Sequence, residues 1–188
     1  MNTLRVIFFS LMGIVLFHTT TYAQDKYICK TGHVYFISKT DIIDIDADNY
    51  NLASILNTKN GEVIFMIPMR GFKFKLPLAE EHFNENYIES EKYPQAKFKG
   101  KFINFDKIDF SKDGQQYVEV EGEMSIHGQT KKIKEAGIIE IRKGEIHAKS
   151  ILKIALQDYG IKIPNLVINK VADIIDVKID LKYEPFTK

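Results

Sequence analysis

The sequence predicts an all-β fold, an antiparallel sheet rolled into a barrel of about eight strands, and three observations carry that prediction. Apolar and polar side chains alternate with a period of two through most of the chain beyond Lys26, the pattern of strands with one dry face and one wet face. Turn-forming pairs, Asn60-Gly61, Asp113-Gly114, His127-Gly128 and Lys143-Gly144, fall between the alternating runs. The 188 residues fit one domain, and no shift in composition marks a boundary inside them.

The first segment stands apart from this pattern. Residues 1–23 place one positive charge, Arg5, before an apolar run from Val6 to Phe17, and Thr21-Tyr22-Ala23 follows with small side chains at the −3 and −1 positions. That is the layout of a secretory signal peptide cleaved after Ala23, and the run is short for a helix spanning about 30 Å of hydrocarbon. Cleavage leaves residues 24–188 as the mature domain, which is then periplasmic or secreted. It also removes Arg5 and no acid, so a formal charge of +1 becomes zero.

Strands are expected at 32–38, 41–47, 62–68, 71–76, 95–105, 116–126, 132–141 and 145–156, with a final one near 172–183. The clearest alternations are Phe72-Lys73-Phe74-Lys75-Leu76, Phe98-Lys99-Gly100-Lys101-Phe102 and Ile175-Asp176-Val177-Lys178-Ile179. Two stretches depart from the rule. Residues 48–57 read as a helical turn or two. Residues 77–94 space Leu78, His82, Phe83, Tyr87 and Ile88 by about three and four, with acids in the first turn, which predicts a helical segment over one end of the sheet. Gly160 and Pro164 make 158–170 a loop.

Composition excludes several classes of function. With 26 basic and 25 acidic residues there is no basic excess for nucleic acid. A single cysteine, Cys29, excludes a disulfide framework and is expected to be a small buried side chain. The histidines at 33, 82, 127 and 147 have no metal-ligand spacing. Asp41, Asp44, Asp46 and Asp48 lack the central glycine and terminal glutamate of a calcium loop and read as a solvated strand face. No nucleophile motif or phosphate-binding loop is present, so no enzyme, cofactor or metal is expected.

The dry face carries the functional expectation. Phe72, Phe74, Phe98, Phe102, Val120, Met124, Leu152, Ile154, Val177 and Ile179 share the inward phase of their strands. An eight-stranded barrel is just wide enough to fill itself or to hold one small ligand. The pattern fits a packed core and a dry ligand cavity equally.

Three segments add a resemblance. The HFNENYIES-x-KYP-x-A-x-F run from His82, the S-I-H-G-x-T-K turn around His127 and the D-Y-G-I-x-I-P loop from Asp158 together resemble the YceI family of exported, lipocalin-like barrels. The likeness extends over roughly residues 30–183. It implies an eight-stranded lipocalin-like barrel with a short helical cap, holding a polyisoprenoid, isoprenoid quinone or other long or fatty lipid as carrier or store. The alternative is a ligand-free stress-response or interaction module with a packed core. His127, Gly128 and Thr130 are expected to build a hairpin turn, the hydroxyl bonding local backbone. Asn84, Tyr87, Asp158 and Tyr159 are head-group candidates by position. Membrane contact is expected to be transient at most, since no polybasic patch is present; the oligomeric state is left open, a dimer included.

Overall fold

The computed structural model describes residues 25–164, 167 and 169–186. The signal peptide expected at 1–23 lies outside the described residues.

Nine strands form one antiparallel sheet: β1 (Lys26–Lys39), β2 (Asp44–Asn57), β3 (Glu62–Pro68), β4 (Lys73–Phe74), β5 (Gln95–Phe102), β6 (Gly114–Ile126), β7 (Gln129–Arg142), β8 (Glu145–Ala155) and β9 (Ile174–Pro185). Eight of them close into a barrel in chain order, with β9 returning to β1 and β4 left as a two-residue addition beside β2. Closure removes the unpaired edges that an open sheet would expose. The one α-helix among the described residues, α1 (Pro77–His82), runs into a wider π turn over Phe83–Tyr87. Together they form the cap expected over 77–94.

Three local expectations are corrected. Residues 48–57 are not helical; they are the greater part of β2. Leu52, Ser54 and Leu56 are buried there while Ala53 and Ile55 are exposed, and Lys26–Cys29 of a longer β1 pair with Ser54–Asn57. Partners on both sides, from β1 and β3, decide the matter, because a ten-residue helix carries little stability of its own. The strand expected over 71–76 shrinks to β4. After Pro68 the chain makes a tight turn at Met69–Gly71 and then rejoins the same side of β2 at Ala47 and Asp48. Fully buried Asn49 fixes this detour, donating from Nδ2 to the Pro68 carbonyl at 2.8 Å and accepting from the Asn51 N–H at 2.8 Å. Finally, β5 stops at Phe102 rather than 105. Asn104 diverts the chain there, donating to the Tyr117 carbonyl and accepting from the Glu119 N–H.

Gly100 and Gly122 face each other across β5 and β6. A Cβ on Gly122 would overlap the Lys99 carbonyl and stand 2.5 Å from the Gly100 Cα, so the close approach of the two strands needs glycine. The barrel end away from the cap is packed with Leu56, Ile139, Ile141, Ile146, Leu181 and Tyr183, all buried. Tyr183 lies wholly inside and its hydroxyl is 2.6 Å from Ser54 Oγ. Ser54 itself donates to the Ile64 carbonyl at 2.8 Å, so the tyrosine is the donor of that pair. Burial pushes the Tyr183 hydroxyl far above the ordinary tyrosine range. Cys29 is buried as expected, with its thiol pushed up by the same cause.

Candidate binding cavity

Alternation along the strands turns one row of side chains per strand into the barrel. At the capped end these rows do not meet. They enclose a cavity of about 510 Å³, within the range of small-molecule sites. Seven of the ten residues expected on the dry face line it: Phe72, Phe74, Met124, Leu152, Ile154, Val177 and Ile179. Register explains the grouping, since Leu152 and Phe36 both pair with Val177 across β9, and Ile154 pairs with Ile175. Polar interruptions are few: Ser38, His82, Tyr87 and Lys170. Ser38 is already engaged, its hydroxyl accepting the Ala172 N–H at 2.8 Å. Tyr87 is the one head-group candidate on the lining, and burial pushes its hydroxyl upward.

The remaining three expected residues, Phe98, Phe102 and Val120, line a second, smaller chamber of about 90 Å³ instead. Phe65, Met124, Leu152 and Ile179 border both spaces and form the partition between them. The Phe65 ring stacks on Phe98 at 5.0 Å between centroids. Glu135 also borders the small chamber. It occupies the inward phase of β7, two positions from Ile133 and four from fully buried Ile139. Burial raises its carboxyl above the usual range. The sequence reading missed this residue, although the Ile133-x-Glu135-x-Gly137-x-Ile139 spacing signals it. The charges alternating on both faces of that stretch hid the phase.

The cap is held over the large cavity by aromatic packing and one carboxylate. Phe83 sits 5.7, 5.5 and 5.1 Å from the rings of Phe36, Phe72 and Phe74. Glu80 receives the Lys73 ammonium at 2.6 Å and the Phe74 N–H at 3.2 Å. The lysine holds the Glu80 carboxyl below its ordinary value. Asn84 serves the helix rather than the cavity, donating to the Glu80 carbonyl at 2.8 Å, and it does not appear on the lining.

Asp158 and Tyr159 do not line the cavity either; Asp158 is exposed, while Tyr159 is buried at the barrel's flank. The Tyr159 carbonyl accepts from His127 Nδ1 at 3.0 Å, and His127 Nε2 lies 2.9 Å from Glu89 Oε2. Tyr93 packs edge-on against the His127 ring at 4.6 Å. Gly128 turns the hairpin at φ +74°, where a Cβ would strike the Tyr93 ring at 2.6 Å. Thr130 bonds the Ser125 hydroxyl at 2.7 Å, not the backbone expected for it. The three sequence motifs therefore clasp one another: the loop after the cap, the β6–β7 turn and the loop after β8 meet at one point. Among the described residues no cluster of three His, Cys, Asp or Glu side chains is arranged to hold a metal.

A YceI-like domain profile matches residues 34–183. The chain belongs to the YceI family. Solved structures agree on the fold. A polyisoprenoid-binding domain from Saccharophagus degradans superposes with a TM-score of 0.72 at 15% identity, covering 87% of this chain and 100% of that one. Burkholderia cenocepacia BcnA gives 0.67 at 13% identity, covering 80% and 95%. The Campylobacter jejuni YceI protein gives 0.56 at 15% identity, covering 95% and 94%. No curated protein matches the sequence. In this YceI barrel the family's motif residues build the clasp that ties the cap loop to the barrel flank, and the cavity lies beside it under the cap.

Proposed function

We propose that the chain is an exported carrier or store that holds the tail of a polyisoprenoid, isoprenoid quinone or similar amphiphile inside the barrel, without catalysis and with no cofactor beyond the lipid itself. The observation that carries this reading is the large cavity, lined almost entirely by apolar side chains and reaching the cap, where His82 and Tyr87 supply polar atoms, with Lys170 adding another from the segment between β8 and β9. The name of the Saccharophagus domain agrees with it. The signal-peptide layout of residues 1–23 supports export to the periplasm or beyond.

The energetics suit a shuttle. Moving an alkyl tail out of water is worth about 0.8 kcal/mol per methylene. A long tail counted that way would pass the practical affinity ceiling of about 18–21 kcal/mol. In a cell such tails already sit in bilayers, so transfer into the barrel exchanges one dry setting for another and stays reversible. A neutral mature chain makes only transient contact with an anionic surface.

Titration with an apolar fluorescent probe tests the reading. It expects saturable one-to-one binding to the folded protein, reversed by an isoprenoid quinone. A probe that never saturates, or that the quinone fails to displace, favours the ligand-free module with a packed interior.

A further inference from the structure

The two ring nitrogens of His127 face two different acceptors, the Tyr159 carbonyl at 3.0 Å from Nδ1 and a Glu89 carboxylate oxygen at 2.9 Å from Nε2. A carbonyl and an ionised carboxylate accept hydrogen bonds and cannot donate them. Both contacts are made together only by the doubly protonated imidazolium. The neutral ring carries one N–H, so losing the proton sets a lone pair against an acceptor. The His127 side chain is 13% exposed and that of Glu89 45%, while Tyr159 is buried. The remaining N–H therefore stays with the Tyr159 carbonyl, and Glu89 is the partner that turns away to water.

Glu89 is where the cap ends. Buried Ile88 precedes it, and its carbonyl accepts the N–H groups of Lys92 and Tyr93. Both Glu89 and His127 hold a positive φ, +48° and +49°, which a non-glycine residue keeps only when its surroundings enforce it. The other ionisable groups about the ring are Lys92 and Tyr93 on the cap loop, Asp158 and Tyr159 after β8, and Glu135 on β7. Lys92 lies over the Tyr93 ring at 4.9 Å and Asp158 is exposed. Among the described residues no lysine or arginine bridges Glu89 in place of the histidine.

We infer that the His127–Glu89 pair is a proton-operated latch: the imidazolium holds the trailing end of the cap against the barrel, and rising pH frees it and loosens the lid over the cavity. Histidine is the side chain that changes charge across the physiological range. The sign is fixed by the geometry, with the contact present in acid and lost as pH rises. The latch itself stands without any cargo; only its effect on release rests on the carrier reading.

Amide exchange of the mature protein, corrected for the intrinsic effect of pH, tests the latch at about pH 5.5 and about pH 8. The N–H groups of Ser90, Lys92 and Tyr93 are all bonded. Their protection should fall about tenfold at the higher pH, the worth of a charge-assisted hydrogen bond discounted for a half-exposed carboxylate. Amides of the β8–β9 ladder should change less than about twofold. Glu89→Gln offers the neutral ring an acceptor and a donor alike, so its protection should stay high at both values. His127→Asn retains a residue tolerated at positive φ but has nothing to titrate, so its protection should be low at both. Circular dichroism checks that each variant folds. Equal wild-type protection at the two values overturns the latch, and so does a Glu89→Gln variant that keeps the wild-type fall. An equal fall in the β8–β9 ladder overturns it too, because the whole barrel would then be loosening. Bound Nile red should leave faster at the higher pH; release at one rate from a loosened cap overturns the cap as the gate. Failure to bind Nile red at either pH overturns the carrier reading alone, since the exchange result stands without cargo.

Discussion

Phe83 is the residue through which the cap should be separable from the barrel. The helix α1 has only six residues, too few to be stable alone, so its position depends on what Phe83 touches. The ring makes three aromatic contacts, with Phe36, Phe72 and Phe74, at 5.1 to 5.7 Å. Such pairs are worth about 0.5–1.5 kcal/mol each beyond area burial, and truncating a phenylalanine in a core costs about 3–5 kcal/mol. Phe83 is half-buried, so Phe83→Ala should cost about 2–4 kcal/mol. Glu80 and buried Ile88 still tether the segment, and the barrel strands pair without it. The loss should fall on cap opening rather than on global unfolding. Amide hydrogen exchange over residues 77–88 should quicken by about 30- to 1,000-fold, and a bound lipid should leave faster in proportion. Amides of β1 and β2 should change far less. Equal acceleration in cap and barrel would refute the reasoning, because Phe83 would then belong to the global core. An unchanged cap would refute it as well.

Three other outcomes are expected. Phe74→Asp puts a charge on the cavity lining, which costs several kcal/mol when unpaired; mass spectrometry of the folded variant should find lipid retention lost, and wild-type retention would place Phe74 off the ligand path. Glu135→Gln bears on pH. Burial raises the Glu135 carboxyl in the folded chain, so the native state favours the neutral form. Its stabilising contribution is full below the unfolded value of about 4.3 and is lost as pH rises through the folded value. Thermal melts should find the glutamine variant more stable than wild type at neutral pH, with the gap closing near pH ~4. A wider gap in acid would contradict the sign. Gly122→Val forces a side chain into the Lys99 carbonyl, and a denaturation midpoint within error of wild type would show that β5 and β6 can part at no cost.

Much of this molecule was legible from period-two alternation alone. Alternation through residues 98–102 and 175–179 matches the inward phase of β5 and β9, where one residue of slippage would turn a whole strand over, whereas at 72–76 only Lys73–Phe74 is a strand and Leu76 is exposed. The pattern failed where pairing overrides local preference. Asp48–Asn57 has polar residues at its start and reads as a turn until β1 and β3 flank it. Alternation also fixes which way a side chain points and not how far along the axis it lies. Phe98 and Phe72 therefore looked equivalent, although they stand in different chambers. The head-group candidates were chosen by position in loops. Only Tyr87 lies on the cavity, because Asn84 turned to its own helix and the Asp158–Tyr159 loop was drawn to His127.

Native mass spectrometry of the mature protein, purified from its own envelope fraction, tests the central claim most directly. A carrier should give a discrete one-to-one adduct of several hundred daltons that organic solvent releases and that reloading with a prenyl lipid restores. A bare polypeptide mass that neither isoprenoid quinone nor fatty acid can shift would contradict it, and would make the cavity a feature of the fold without cargo.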